Sequence, residues 1–296
     1  MNDEVWRGSV RSWECDEMGH QNARFYFTQS LEGLGEVAAW LGIPSLGPDA
    51  DCGLQITNQH SRFLKEAHDA MPLYMRAWIV ACGEQDAEVV QILYHALSDE
   101  PATLFSLRIR CVDRDGRPRP WPNPVAPQSA AEVIVARGLP PGDSSWDAAD
   151  QACRAGVIDS GRGIVMPGEC DAMGRMRTDA VVGRVSDATH LIMRLCEEPV
   201  RQAGIEPSGT AALECRLAYR HLPLVGTRLR LCSGVLALGD KTRRMMTWLL
   251  DSATGELIAT LESIEIAFDL NTRKSVPWQA PVRAAASRML LADDDL

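Results

Sequence analysis

The stretch Glu14-Cys15-Asp16-Glu17-Met18-Gly19-His20-Gln21-Asn22 decides the reading of this chain, because its first six residues return as Glu169-Cys170-Asp171-Ala172-Met173-Gly174 with five of six identical. A six-residue recurrence of that quality, each copy preceding a helical pattern, marks an internal repeat, and a repeat governs the fold. The register persists outward: Phe63 falls opposite Tyr219, Leu73 opposite Leu229, and Cys111-Val112-Asp113 opposite Ala267-Phe268-Asp269. Immediately after the first copy, Phe25, Leu31, Leu34, Ala38 and Leu41 lie at helical spacing. Asn22 is a suitable N-cap and Gly42, with Pro44 beyond, a suitable stop, so one long amphipathic helix is predicted.

Beyond the helix, strand-like runs cover Gln55 to Lys65, Leu73 to Cys82, Glu88 to Leu97 and Thr103 to Val112, with turn residues between them. The second half repeats the order: a strand ending near Cys170, a helix from Asp179 to Cys196, then strands at Ala212 to His221, Arg228 to Leu236, Arg244 to Leu250 and Leu257 to Phe268. One strand, one helix and four strands describe an α+β unit whose antiparallel sheet needs the helix to cover one face. Pro118, Pro120, Pro122, Pro124, Pro127, Pro140 and Pro141 fall between the halves, where neither a helix nor a central strand tolerates them. The expected organisation is therefore an N-terminal domain at 1–113, a Pro-rich linker at 114–160, a C-terminal domain at 161–270 and a tail at 271–296. In the tail, Ala284 to Leu291 is expected to be helical and Asp293 to Asp295 solvated.

Composition narrows the function. With 40 acidic and 30 basic side chains among 296 residues the net charge is -10, the wrong sign for general nucleic-acid binding. The 46% hydrophobic content supports packed cores and excludes a disordered chain. No run of about 18 apolar residues occurs and Met1-Asn2-Asp3-Glu4 is not a signal-peptide head, so a soluble, cytoplasmic protein with no membrane partner is expected. The nine cysteines include no C-x-x-C pair and no clustered Cys/His spacing. They are read as free buried thiols, and no metal site is expected.

The element order, with Asp16-Glu17-Met18-Gly19-His20-Gln21-Asn22 at the turn and Tyr26 just after it, resembles the hotdog-fold thioesterases, here as two hotdog domains in tandem. The resemblance, to the 4-hydroxybenzoyl-CoA thioesterase-like superfamily, implies an antiparallel sheet wrapped around a long central helix in each domain, two units pairing to form the clefts, and hydrolysis of an acyl-CoA thioester. It covers about 220 residues, leaving out linker and tail. Asp16 matches the catalytic aspartate of the 4-hydroxybenzoyl-CoA type and of the plant acyl-carrier-protein thioesterases, which are also tandem hotdogs. His20 matches the latter's catalytic histidine. Glu66 falls where those plant enzymes carry a further catalytic acid at the end of the strand after the helix, whereas Met18 stands in place of their catalytic asparagine. The second repeat keeps Asp171 but has Arg175, Arg177 and Leu222 in place of His20, Asn22 and Glu66, so the first repeat is expected to hold the working site.

The chemistry suits these residue types. Thioester hydrolysis needs a nucleophile or activated water and donors for the developing oxyanion. Asp16 would serve as nucleophile or general base with Glu66 helping to hold the water, and His20 would polarise the carbonyl or relay a proton, imidazole having an ordinary pKa of about 6.5. Backbone N–H groups around Gly19 and His20 would form the oxyanion hole, with Asn22 as helix cap or positioning group. Asp16 has a structural alternative, bracing the turn, which the retained Asp171 favours. Glu66 has one too, a solvated strand end. Arg175, Arg177 and Arg243, the last in Lys241-Thr242-Arg243-Arg244, are candidates for the carrier or its phosphates, and Trp40, Trp78 and Trp248 for core or cleft lining. Cys15 and Cys170 would face away from the aspartates and are not read as nucleophiles.

The expected substrate is a small-molecule acyl-CoA, coenzyme A being part of the substrate and no cofactor being required, with a homodimer of tandem chains as a plausible assembly. The alternatives are a non-catalytic acyl-CoA-binding or sensing module and a hotdog enoyl-CoA hydratase, whose Asp-x-Asn-Pro-x-His peptide is absent.

Overall fold

The computed structural model describes residues 3–16, 18–130, 137–139, 144 and 146–291. Pro140 and Pro141 of the linker and the acidic stretch Asp293 to Asp295 lie outside them. The chain forms two compact units, one comprising 1–135 and 166–183, the other 136–165 and 184–296.

In the first unit, β1 (Glu4–Ser9), α1 (Ala23–Trp40), β2 (Gly53–Phe63), β3 (Pro72–Cys82), β4 (Asp86–His95) and β5 (Pro101–Val112) follow one another. The strands lie in the order β1-β3-β4-β5-β2, neighbours antiparallel. The second unit carries β6 (Ile158–Ile164), β7 (Gly209–Tyr219), β8 (Arg228–Leu238), β9 (Thr242–Asp251) and β10 (Leu257–Phe268) in the order β7-β10-β9-β8-β6, again antiparallel. The helix α2 (Thr178–Gln202) follows β6, and α3 (Ala280–Ser287) follows β10. The four strands after each helix have the same lengths in both halves, 11, 11, 10 and 12 residues, which is the repeat expressed as backbone.

The ends of α1 are where the sequence puts them. The Asn22 side chain accepts the Arg24 N–H at 3.0 Å, satisfying one orphan donor of the first turn. Gly42 ends the helix at φ +85, where a β-carbon would stand 2.9 Å from Asn123 and Pro122. The buried face differs from the one expected. Phe25 and Leu31 are only half-buried, while Tyr26, Phe27, Ser30, Leu34, Val37 and Ala38 face the sheet. Phe27 meets Phe105 edge-on at 5.8 Å and Tyr26 meets Phe63 at 5.5 Å, and burying each large ring is worth about 2–3 kcal/mol. A hydrophobic reading misses this stripe because Gln29 and Ser30 lie within it; Ser30 Oγ donates to Gln91 Oε1 at 2.5 Å and accepts from Gln59 Nε2 at 3.2 Å.

Other boundaries shift for identifiable reasons. β6 stops at Ile164 rather than near Cys170, because Pro167 opens a short 3₁₀ turn. β4 stops at His95, leaving Leu97 in an exposed turn that Asp99 closes at φ 55. The tail helix starts at Ala280, not Ala284, since Pro281 suits a first turn. The linker is not free chain: Trp121 is 4% exposed within the first core and Gln128 N–H bonds to the Ile79 carbonyl at 2.7 Å. Trp146 and Asp147 belong to the second unit, where Trp248 donates to the Trp146 carbonyl at 2.7 Å and Thr260 to Asp147 Oδ1 at 2.6 Å. Trp78 and Trp248 are core residues, and Trp40 is half-buried. Of the nine free thiols only Cys111, Cys196, Cys215 and Cys232 are buried, so the expectation of nine buried thiols is corrected. No helix is long and apolar enough to cross a membrane among the described residues.

Candidate active site

The two acidic turns fold alike, and their aspartates are the reason. Asp16 Oδ1 accepts the N–H groups of Met18 at 2.9 Å and His20 at 3.0 Å, while the Gly19 N–H closes on the Asp16 carbonyl at 3.0 Å. In the second copy, Asp171 Oδ1 accepts from Met173 and Arg175, both at 2.9 Å, and the Gly174 N–H closes on the Asp171 carbonyl at 3.1 Å. Gly19 at φ 77 and Gly174 at φ 75 occupy the left-handed region these turns require. The bracing role of both aspartates is thus present in the structure. The Gly19 and His20 amides, expected to form the oxyanion hole, donate within the turn to the carbonyl and Oδ1 of Asp16.

The first turn differs from the second in what it carries. His20, 9% exposed, forms an antiparallel bridge with His68, and the Gln21 N–H donates to the Ala67 carbonyl at 2.8 Å. That pairing lays the segment just past β2 against the turn, and His20 Nε2 comes to 3.4 Å from Glu66 Oε2. Helix α1 holds the segment from the other side, because the Ala67 N–H donates to the Tyr26 phenol oxygen at 3.0 Å. Burial, above all, pushes the Tyr26 phenol well above its ordinary range, so it stays neutral. The structure therefore joins Asp16, His20 and Glu66 through one bonded loop pair, with Asn22 capping the helix that follows.

His68 is the residue that sequence reasoning missed. Its ring lies 4.8 Å from that of His20 at 71°, and His20, Glu66 and His68 bring ligand-capable atoms within 4.8 Å of one another. The available signal was Glu66-Ala67-His68, two ligand-type side chains in one short segment after β2. At the equivalent second-half positions stand Arg175, Leu222 and Leu224.

The arginines expected to meet the carrier are engaged elsewhere. Arg175, 8% exposed, donates to the carbonyls of Asp113 at 3.1 Å and Arg114 at 2.5 Å. Arg177 pairs with Asp179 at 3.0 Å and bonds to the carbonyls of Gly168 and Cys170. Arg243 is only 2% exposed, paired with Glu265 at 2.7 Å and stacked on Trp278. A surface phosphate does not reach it, which corrects its reading as part of an exposed basic cluster. Burial, then the nearby Asp69 and Asp16, pushes the Cys15 thiol up, which disfavours a thiolate nucleophile.

The fold resembles three solved structures: a candidate oleoyl thioesterase from Lactobacillus plantarum (TM-score 0.64, 9% identity, 89% of this chain and 95% of that one), an acyl-ACP thioesterase from Bacteroides thetaiotaomicron (TM-score 0.60, 10% identity, 88% and 96%) and the 12:0-ACP thioesterase from Umbellularia californica (TM-score 0.60, 12% identity, 88% and 93%). The α+β architecture is thus of the hotdog-like thioesterase type. A search of curated protein sequences found no match. A family model matches residues 10–129 and 165–286, most of both halves, and on that match the chain belongs to the Thioesterase-like superfamily.

Proposed function

We propose that the chain is a tandem hotdog enzyme that hydrolyses an acyl-CoA thioester to the free acid and CoA at a single site in its first repeat. The observation that carries this reading is the His20–Glu66 pair at 3.4 Å, set against the Asp16 turn and replaced by Arg175 and Leu222 in the second repeat. With Oδ1 bound to two amides, Asp16 meets the attacking water through Oδ2 and acts as its general base rather than as a nucleophile. Water adds to the thioester carbonyl, and the tetrahedral intermediate collapses with loss of the C–S bond. The His20 imidazole, with Glu66 beside it, relays the proton to the leaving thiolate. Asn22 and Tyr26 act by position, one fixing the helix start and the other the Glu66–His68 segment.

Two of the similar structures are acyl-ACP thioesterases, so an acyl carrier protein is the second substrate reading. The chain's net charge of -10 disfavours an acidic carrier protein as partner. A cytoplasmic homodimer of tandem chains completes the proposal. The test is a free-thiol release assay over short, long, branched and aromatic acyl-CoAs and acyl-ACPs, with wild type beside Asp16→Asn and Asp171→Asn. Loss of turnover in Asp16→Asn alone supports one working site. Acyl-CoA binding with no turnover of any thioester supports the sensing module instead.

A further inference from the structure

We propose that His20, Glu66 and His68 form a binding site for a divalent transition-metal ion, zinc above all, and that its occupation switches the hydrolytic site off. The proposal rests on the reading of His20 and Glu66 as working residues and adds regulation to it.

One backbone bridge and one side-chain contact bring the three side chains together. His20 and His68 stand directly opposite in an antiparallel bridge, where facing side chains share a side. Glu66, two residues before His68, brings Oε2 to 3.4 Å from His20 Nε2. Both strands of the bridge are tied down, by Asp16 Oδ1 on the His20 N–H and by the Tyr26 phenol on the Ala67 N–H, each at 3.0 Å. Such an arrangement lowers the ordering cost that a set of ligands on free loops would incur.

The distances suit a tetrahedral ion. Zinc binds imidazole nitrogen at about 2.0–2.1 Å and carboxylate oxygen at about 2.0–2.2 Å, so neighbouring ligand atoms stand roughly 3.3–3.5 Å apart. His20 Nε2 and Glu66 Oε2 are 3.4 Å apart, one edge of such a tetrahedron. The other two separations lie within 4.8 Å, and the exposed His68 ring closes them by a small rotation. Two imidazoles and a carboxylate leave a fourth position for water. The two imidazoles are borderline donors that suit zinc better than calcium or magnesium, whose preferred ligands are oxygens. An ion held there takes the His20 nitrogen and the Glu66 carboxylate out of proton transfer, so turnover stops until it leaves.

The experiment titrates the full-length protein with zinc chloride by calorimetry and with cobalt(II) by absorption, for wild type, His68→Ala and Asp16→Asn. Wild type and Asp16→Asn are expected to bind one ion per chain, the cobalt complex showing nitrogen and oxygen ligation without a thiolate charge-transfer band. His68→Ala is expected to bind at least about tenfold more weakly. In the thiol-release assay each protein is referred to its own metal-free rate, and His68→Ala needs correspondingly more zinc than wild type for half-inhibition. Absence of stoichiometric binding, a thiolate-type cobalt spectrum, or affinity unchanged in His68→Ala overturns the proposal. Metal binding is read without turnover, so a protein that binds zinc as described but hydrolyses no thioester refutes the thioesterase reading and the switch built on it, and leaves the metal site standing.

Discussion

Asp16 and Asp171 perform the same structural task, so substituting them in parallel separates bracing from catalysis. Each Oδ1 accepts two backbone N–H groups, at 2.9 and 3.0 Å for Asp16 and at 2.9 Å twice for Asp171. Hydrogen bonds to a charged group contribute about 1.5–3 kcal/mol each when well buried. Asp16 is half-buried and Asp171 exposed, so about 1–1.5 kcal/mol per bond is the appropriate scale here. Asp16→Ala and Asp171→Ala therefore each lose about 2–3 kcal/mol, measured from urea midpoints, with Asp171→Ala at the lower end. Asn keeps the accepting oxygen and loses only the charge, so both Asn variants lose less than about 1 kcal/mol. Activity divides them differently: as general base, Asp16 contributes about 10²–10⁴-fold to kcat/KM, and Asp16→Asn loses that factor while Asp171→Asn stays at the wild-type value. An Asp16→Asn enzyme within about threefold of wild type would refute the catalytic role and leave Asp16 as a brace like its twin.

Glu66→Gln removes a charge 3.4 Å from the His20 ring; Coulomb's law gives about 1 kcal/mol in water and about 5 at an effective dielectric of 20. Glu66 is exposed, so about 1–2 kcal/mol, a five- to thirtyfold fall in kcat/KM, is expected in the thiol-release assay. Tyr26→Phe leaves the buried Ala67 N–H without its acceptor, and urea denaturation is expected to show a loss of about 1–3 kcal/mol together with a lower kcat/KM as the Glu66–His68 segment loosens. Asp113 accepts the Arg117 and Asp115 N–H groups, which hold its carboxyl below the ordinary range, the Arg117 amide foremost. Because its folded pKa lies below the unfolded value of about 3.9, its contribution is present above that pH and lost as pH falls through the folded value. The stability difference between wild type and Asp113→Asn should accordingly be full at pH 6 and vanish on acid titration below about pH 4.

The sequence by itself determined the repeat, the limits of α1 and the order of elements along the chain. These are local matters: a capping asparagine at position 22, a left-handed glycine at 42 and apolar runs between turns act over a few residues. It determined the acidic turn too, because Asp16 reaches its two amides within four residues. Only the tertiary structure decided what those residues face. The Gly19 and His20 amides look available in sequence, yet the turn closes on itself and consumes them. Arg243 looks like surface charge, yet register places it against Glu265 in the core of its unit. The Tyr26 phenol and the Gln21–Ala67 pairing bring Glu66 and His68 to His20, and no spacing rule announces contacts made across so long a stretch of chain. Hydrogen bonds between near neighbours follow from residue type, whereas meetings between distant residues depend on how helix and strands pack. In this protein the turn belongs to the first kind and the His20–Glu66–His68 cluster to the second.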